Sequence, residues 1–160
     1  MSTMVNQLLF GAEAVLTELP PQDRVRLGTF SSSIQLGPAI TGSRLDAIRS
    51  LRQGLKPVGP SALYDAVASS MEAMAGETDR RVVLVLTDGL DTSSRRGFQQ
   101  VIQRAQEEDQ AVFAMAFRDT SPMNRFPFSQ TQRASFRALM RLAAETGGGY
   151  IAREFFMVGS

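Results

Sequence analysis

The run VVLVL, Val82 to Leu86, is apolar at every position. A strand with one wet face alternates apolar and polar residues. A run apolar on both faces belongs to a sheet covered on both sides, as parallel sheets are. Helical spacing lies on either side of this run: Leu63, Val67, Met71 and Met74 before it, Phe98, Val101, Ile102 and Ala105 after it. AVFAMAF, Ala111 to Phe117, is a second buried run. Phe136, Leu139, Met140 and Ala143 mark another helix, stopped at Gly147-Gly148-Gly149, and YIAREFF reads as a last strand. Helix and strand thus alternate three times, which predicts an α/β fold, a doubly wound, mostly parallel sheet with helices on both faces.

Earlier in the chain, Val5, Leu8, Leu9, Ala12, Val15, Leu16 and Leu19 follow helical spacing up to Pro20-Pro21. DRVRLGTF alternates Val25, Leu27 and, after Gly28, Phe30, a strand whose hairpin partner carries Ile34 and Leu36. Leu45, Ile48 and Leu51 give a short helix closed by Gly54. RDTSPMNRFPFSQTQ is the one long loop, and its Phe126, Pro127 and Phe128 could serve recognition or cover a sheet edge. With 160 residues and no internal repeat or linker, the chain reads as a single domain.

Composition narrows the chemistry. Seventeen basic residues balance sixteen acidic ones, for a net charge of +1, so nothing points to nucleic acid as a partner. There is no cysteine and no histidine, which removes thiolate chemistry and the commonest general base and transition-metal ligand. A metal would have to be held by oxygens, as Mg²⁺, Ca²⁺ or Mn²⁺ are. No apolar run approaches the ~20 residues of a membrane span, and the amphipathic start is unlike a signal peptide.

Ligands of such sheets bind at the carboxyl ends of the strands. The run Val82–Leu86 ends there on Thr87-Asp88-Gly89, with Asp91 three residues beyond. Thr-Asp-Gly is also ordinary turn chemistry, and both readings stand at this level. GPSALYDAV, Gly59 to Val67, brings Ser61 to a helix start, where it fits an N-cap, and Asp65 to the first turn, where the helix dipole favours it. Asp91 fits either a support for Asp88 or the N-cap of the following helix. A hydroxyl and a carboxylate on neighbouring loops would also make part of a hard-cation site, with most of the shell left to water.

LPPQDRVRLGTF, GPSALYDAV, RRVVLVLTDGLDTSS and AETGGGYIAREF, in this order and spacing, resemble the von Willebrand factor type A domain, particularly the bacterial stand-alone kind. The resemblance covers nearly the whole chain. It implies a Rossmann-like sheet with one antiparallel edge strand and a metal-ion-dependent adhesion site. That site takes a D-x-S-x-S motif after the first strand, a threonine at a central helix start, and the aspartate of T-D-G. By position, Ser61 looks like the threonine and Asp88 like the T-D-G aspartate. Serine keeps the oxygen and loses the methyl that restricts its rotamers.

No D-x-S-x-S occurs in this chain, and no strand precedes the first helix. The family also carries a further helix after its last strand. The expectation is therefore a single partial domain over residues 1–160, N-terminally truncated. A member that has lost the strand is the alternative. Functionally, the resemblance implies a protein-interaction module that, when complete, uses Mg²⁺ or Mn²⁺ to grip an acidic side chain of a protein partner. This chain, left with Ser61 and Asp88, is expected not to bind the ion. A metal-independent scaffold is the alternative. An Mg²⁺-dependent hydrolase fits poorly, because TGGGY precedes a strand where a phosphate cradle would follow one.

Overall fold

The computed structural model describes residues 3–37, 42–54, 60–119 and 129–155. The chain opens with helix α1 (Thr3–Glu18), followed by the strands β1 (Gly28–Phe30) and β2 (Ile34–Leu36) and by helix α2 (Arg44–Gly54). Helix α3 (Leu63–Ala73) leads into β3 (Arg81–Thr87), helix α4 (Phe98–Glu107), β4 (Gln110–Asp119), helix α5 (Gln130–Glu145) and β5 (Tyr150–Phe155). The alternation read from the apolar runs is therefore present. Phe126, Pro127 and Phe128 lie outside the described residues.

β3, β4 and β5 form a parallel sheet in that order, with Leu84 opposite Phe113 and Met115 opposite Ile151. One face presents Val83, Val85, Val112, Ala114 and Ala116. Leu63, Val67 and Met71 of α3, Val101, Ile102 and Ala105 of α4, and Phe136, Leu139 and Leu142 of α5 bury it. α5 ends where Gly147 takes a positive φ of 76°, the helix stop expected of the glycine run. α1 lies on the opposite face. A Cβ on its Gly11 would come within 2.7 Å of the Phe117 ring, so the lack of a side chain is what lets the helix approach β4 so closely. Helices on both faces of a parallel sheet make this the α/β, Rossmann-like arrangement that the sequence predicts.

β1 and β2 form an antiparallel hairpin that is a separate sheet. The strand read across DRVRLGTF is shorter than expected. Among the described residues Gly28–Phe30 pairs as a ladder, the Leu27 carbonyl accepts from the Gly37 amide at 2.8 Å, and Val25 forms an isolated bridge. Val25 and Leu27 instead pack with Leu9, Ala12 and Leu19 around the buried Leu16, Ala47 and Leu51. α3 joins the two parts, packing on β3 and on both hairpin strands.

Candidate functional site

The end of β3 is a self-contained turn. The buried Thr87 hydroxyl accepts from the Gly89 amide at 3.1 Å, and Asp88 Oδ1 accepts from the Leu90 amide at 3.2 Å. Gly89 sits at a φ of 90°, and a Cβ there would come within 2.8 Å of the Phe136 ring. A side chain at this position would be strained and would also collide with α5. Turn chemistry therefore accounts for Thr87 and Gly89. Asp88 is exposed, and its second oxygen has no protein partner among the described residues.

Beyond this turn the chain is lashed to the start of α3. Asp91 Oδ1 accepts from the amides of Leu63 at 2.8 Å and Tyr64 at 3.4 Å, and from the Ser94 hydroxyl at 2.6 Å. The Ser94 hydroxyl in turn accepts from the Asp65 amide at 3.1 Å. The Asp65 carboxylate reaches back and accepts from the amides of Arg95 and Arg96, both at 2.9 Å. The Ser61 amide donates to Thr92 Oγ1 at 2.8 Å, and the Ser61 carbonyl accepts from the amides of Thr92 at 2.8 Å and Ser93 at 3.1 Å.

Each loop thus satisfies the other's orphan backbone groups, including the amides that begin a helix and have no partner within it. The hydrogen bond from the Arg95 amide is the main reason the Asp65 carboxyl lies below its ordinary range; the Arg96 amide and the two arginine charges add to it against the opposing effect of burial. Burial, with the Asp91 charge second, pushes the Tyr64 phenol up. The Tyr64 ring meets Phe98 edge-on at 5.8 Å between centroids.

Two readings are corrected by this geometry. Ser61 is not the N-cap of α3: Ala62 holds that position without a side-chain bond, and the capping acceptors arrive from Asp91 and Ser94, about thirty residues on. Asp91 does not cap the following helix either. Gly97 precedes α4, and the Gln100 side chain accepts from its amide at 2.9 Å. Sequence reading missed Thr92, Ser94 and Asp65 as a working set. The signal available was the density of short polar side chains in DTSS, directly after a strand end.

Ser61 and Asp88 are therefore carried on two loops bonded to one another at the carboxyl end of the sheet. The Ser61 hydroxyl, like the second oxygen of Asp88, has no protein partner among the described residues, and no hydrogen bond joins the two side chains. As a cation site the pair supplies one formal charge and two side-chain oxygens, so most of an octahedral Mg²⁺ shell would fall to water. Both oxygens of Asp65 and Oδ1 of Asp91 are already committed to backbone amides, and no group of three acidic residues converges among the described residues.

A parallel sheet with helices on both faces and paired loops at its carboxyl edge defines the class, a doubly wound α/β domain. The chain belongs to the von Willebrand factor type A domain family, which it matches over residues 1–159. Among curated proteins none matches it. Its fold is similar to that of the conserved hypothetical protein BatB from Bacteroides thetaiotaomicron (TM-score 0.70, 15% identity, covering 94% of this chain and 80% of that one). It is also similar to an aerotolerance-related membrane protein from Bacteroides fragilis (TM-score 0.68, 16% identity, covering 94% and 79%). A third similar fold is proximal thread matrix protein 1 of the mussel byssus, in a structure with a zinc-occupied MIDAS motif (TM-score 0.69, 15% identity, covering 92% and 36%). No helix among the described residues is long and apolar enough to cross a membrane.

Proposed function

We propose that the chain is a protein-interaction module that contacts its partner through the carboxyl-edge loops, and that its metal-ion-dependent adhesion site is incomplete. The observation that carries this reading is the mutual bonding of residues 61–65 with residues 91–96. Loops already ordered before binding lose little conformational entropy when a partner docks, so more of the contact energy appears as affinity. The same bonding commits both oxygens of Asp65 and one of Asp91, and leaves the Ser61 hydroxyl and one oxygen each of Asp88 and Asp91 without a protein partner among the described residues. Ser61 and Asp88 alone supply a small part of a hard-cation shell, and the partner contact does not depend on one formed by them alone.

Family membership supports a binding role over an enzymatic one. So does the chemistry of the edge: no histidine is present in the chain, and the buried side of the loop pair is occupied by structural hydrogen bonds. A metal-independent scaffold is the second reading, favoured by the same commitment of Asp65 and Asp91. Calorimetric titration of the chain with Mg²⁺ and with Mn²⁺ tests the incompleteness, with no saturable binding in the micromolar range expected. A micromolar site that Asp88→Ala abolishes would overturn it.

A further inference from the structure

α5 begins at the carboxyl edge, after β4, with charge of the sign that its own dipole disfavours. A helix N-terminus is the partly positive end of the macrodipole, so acidic side chains are favoured there and basic ones are not. The first turn of α5 holds no acidic residue and does hold Arg133, with Arg137 one turn further on. Its cap is neutral: the Ser129 hydroxyl accepts from the Gln132 amide at 3.2 Å, and the Gln132 side chain accepts from the Ser129 amide at 2.9 Å. The neighbouring sequence does not offset the charge. From Thr120 to Ala144 it contains Arg125, Arg133, Arg137 and Arg141 and no carboxylate.

The arginines that serve the fold around α4 and α5 are engaged. Arg96 pairs with Glu72 at 3.1 Å, and Arg104 with Glu72 at 2.6 Å and Glu108 at 2.7 Å. Arg141 pairs with Glu145 at 2.8 Å and covers the Phe98 ring at 5.2 Å. Arg133 and Arg137 are exposed and have no such partner among the described residues. They border an open groove of about 610 Å³, whose other walls are Gln130, Thr131 and Ala134. The helix behind the groove is anchored, because Phe136 is buried and lies against the turn at Gly89.

We propose that this groove docks an acidic segment of a protein partner, its carboxylates paired with Arg133 and Arg137. The proposal rests on the carboxyl-edge reading above and names the partner's chemistry, using neither Ser61, Asp88 nor a cation. Residues four apart on a helix stand about 6 Å apart along its axis. Alternate residues of an extended segment stand about 6.6 Å apart on one side. Carboxylates at alternate positions therefore meet both guanidinium groups, whose planar forks suit a carboxylate. No ion pair among the described residues has to break first, and the added negative charge relieves the two cations at the helix start. A nucleic acid strand fits less well, since no ring beside the arginines is open for stacking: Phe136 is buried and Arg141 covers Phe98.

Titration of the chain with the peptide Gly-Asp-Val-Asp-Val-Asp-Gly, followed by NMR at low ionic strength with a chelator present, tests this. Shifts are expected at the amides of Gln130 to Arg137, and none with the peptide that carries asparagine for aspartate. Combining Arg133→Gln with Arg137→Gln weakens binding roughly tenfold, the sum of two exposed ion pairs. Arg153→Gln, at an exposed arginine of β5, and Asp88→Ala leave it unchanged. The double variant unfolds no more easily than the wild type, because it takes cations away from a helix N-terminus. The proposal fails if no shift appears, if the double variant binds as the wild type does, or if it unfolds more easily. Binding lost in Asp88→Ala but kept in the double variant overturns this site and leaves the carboxyl-edge reading standing. Shifts confined to residues away from the carboxyl edge overturn both. Displacement of the peptide by single-stranded oligothymidylate, or by phosphatidylserine vesicles, at equal charge concentration overturns the assignment to a protein partner.

Discussion

Among the described residues, fifteen buried ones form one contiguous core around β3, β4 and β5, whereas α1, α2 and the segment leading into the hairpin share three, Leu16, Ala47 and Leu51. The second region is held as much by polar tethers as by burial. Arg52 forks onto the Glu13 carboxylate at 2.6 and 3.2 Å, and Arg44 donates to the carbonyls of Thr17, in the last turn of α1, and of Leu19 just beyond it. Phe10 and Leu45, both more than 70% exposed, also belong to this region. Exposed tethers of this kind contribute little on their own. The difference teaches that the parallel sheet with α3, α4 and α5 can order itself, while α1, α2 and the hairpin depend on being docked against it.

Equal truncations in the two cores give the largest test. Leu142 is fully buried under the sheet, and Leu142→Ala is expected to cost about 4 kcal/mol because the packed surroundings cannot collapse into the cavity. Leu16→Ala, in a core bounded by half-exposed side chains that can shift inward, is expected to cost about 2 kcal/mol. Urea denaturation gives the totals, and amide exchange in α1 and β4 shows where protection is lost. If Leu16→Ala strips protection from β4 as fully as Leu142→Ala does, the two regions are one cooperative unit and the distinction falls.

A smaller effect comes from the clamp that holds the 91–96 loop to α3, which lies wholly within the parallel region. Asp65 accepts two backbone amides with its two oxygens, and an asparagine in its place could accept only one. Asp65→Asn is expected to cost about 1–2 kcal/mol at neutral pH and to leave exchange in α1 unchanged. The pH dependence has a definite sign. The folded carboxyl lies below its unfolded value, so its contribution is complete above the unfolded value near ~3.9. It is lost as pH falls through the lower, folded value. Acid titration of stability should therefore show a steeper decline in the wild type than in Asp65→Asn below about pH 4. Parallel curves would show that this carboxylate is not linked to folding.

The sequence made the apolar architecture legible and the polar one largely not. Runs such as Val82–Leu86 and Ala111–Phe117 can be read because burial on both faces leaves a continuous signal. The family resemblance likewise located Ser61 and Asp88 at the carboxyl edge. The clamp is invisible by the same methods, since the bonds from Leu63 to Asp91 and from Arg96 to Asp65 join residues about thirty positions apart. Local rules assign Ser61 and Asp91 to the nearest helix start, and both assignments fail because the fold sets a different loop opposite each start. Alternation also predicts which side chains turn inward before Phe30, and Val25 and Leu27 do so.

The smallest expected effect is at Asp88, and it separates the edge from both cores. Asp88 is exposed, and its one described bond, Oδ1 accepting from the Leu90 amide, is available equally to the Oδ1 of an asparagine. No described cation lies within salt-bridge distance of it, so removing its charge breaks no ion pair among the described residues. Asp88→Asn should therefore change stability by no more than about 0.5 kcal/mol, the usual range for surface positions without a special role. Asp65→Asn, at the same edge of the sheet, exceeds that because its oxygens are both engaged. Equilibrium denaturation of the two variants side by side makes the contrast measurable. A loss above about 2 kcal/mol at Asp88 would mean that its carboxylate belongs to the structural network after all. It would then no longer be available to a ligand, and the reading of Asp88 as a carboxylate facing a ligand at this edge would fail with it.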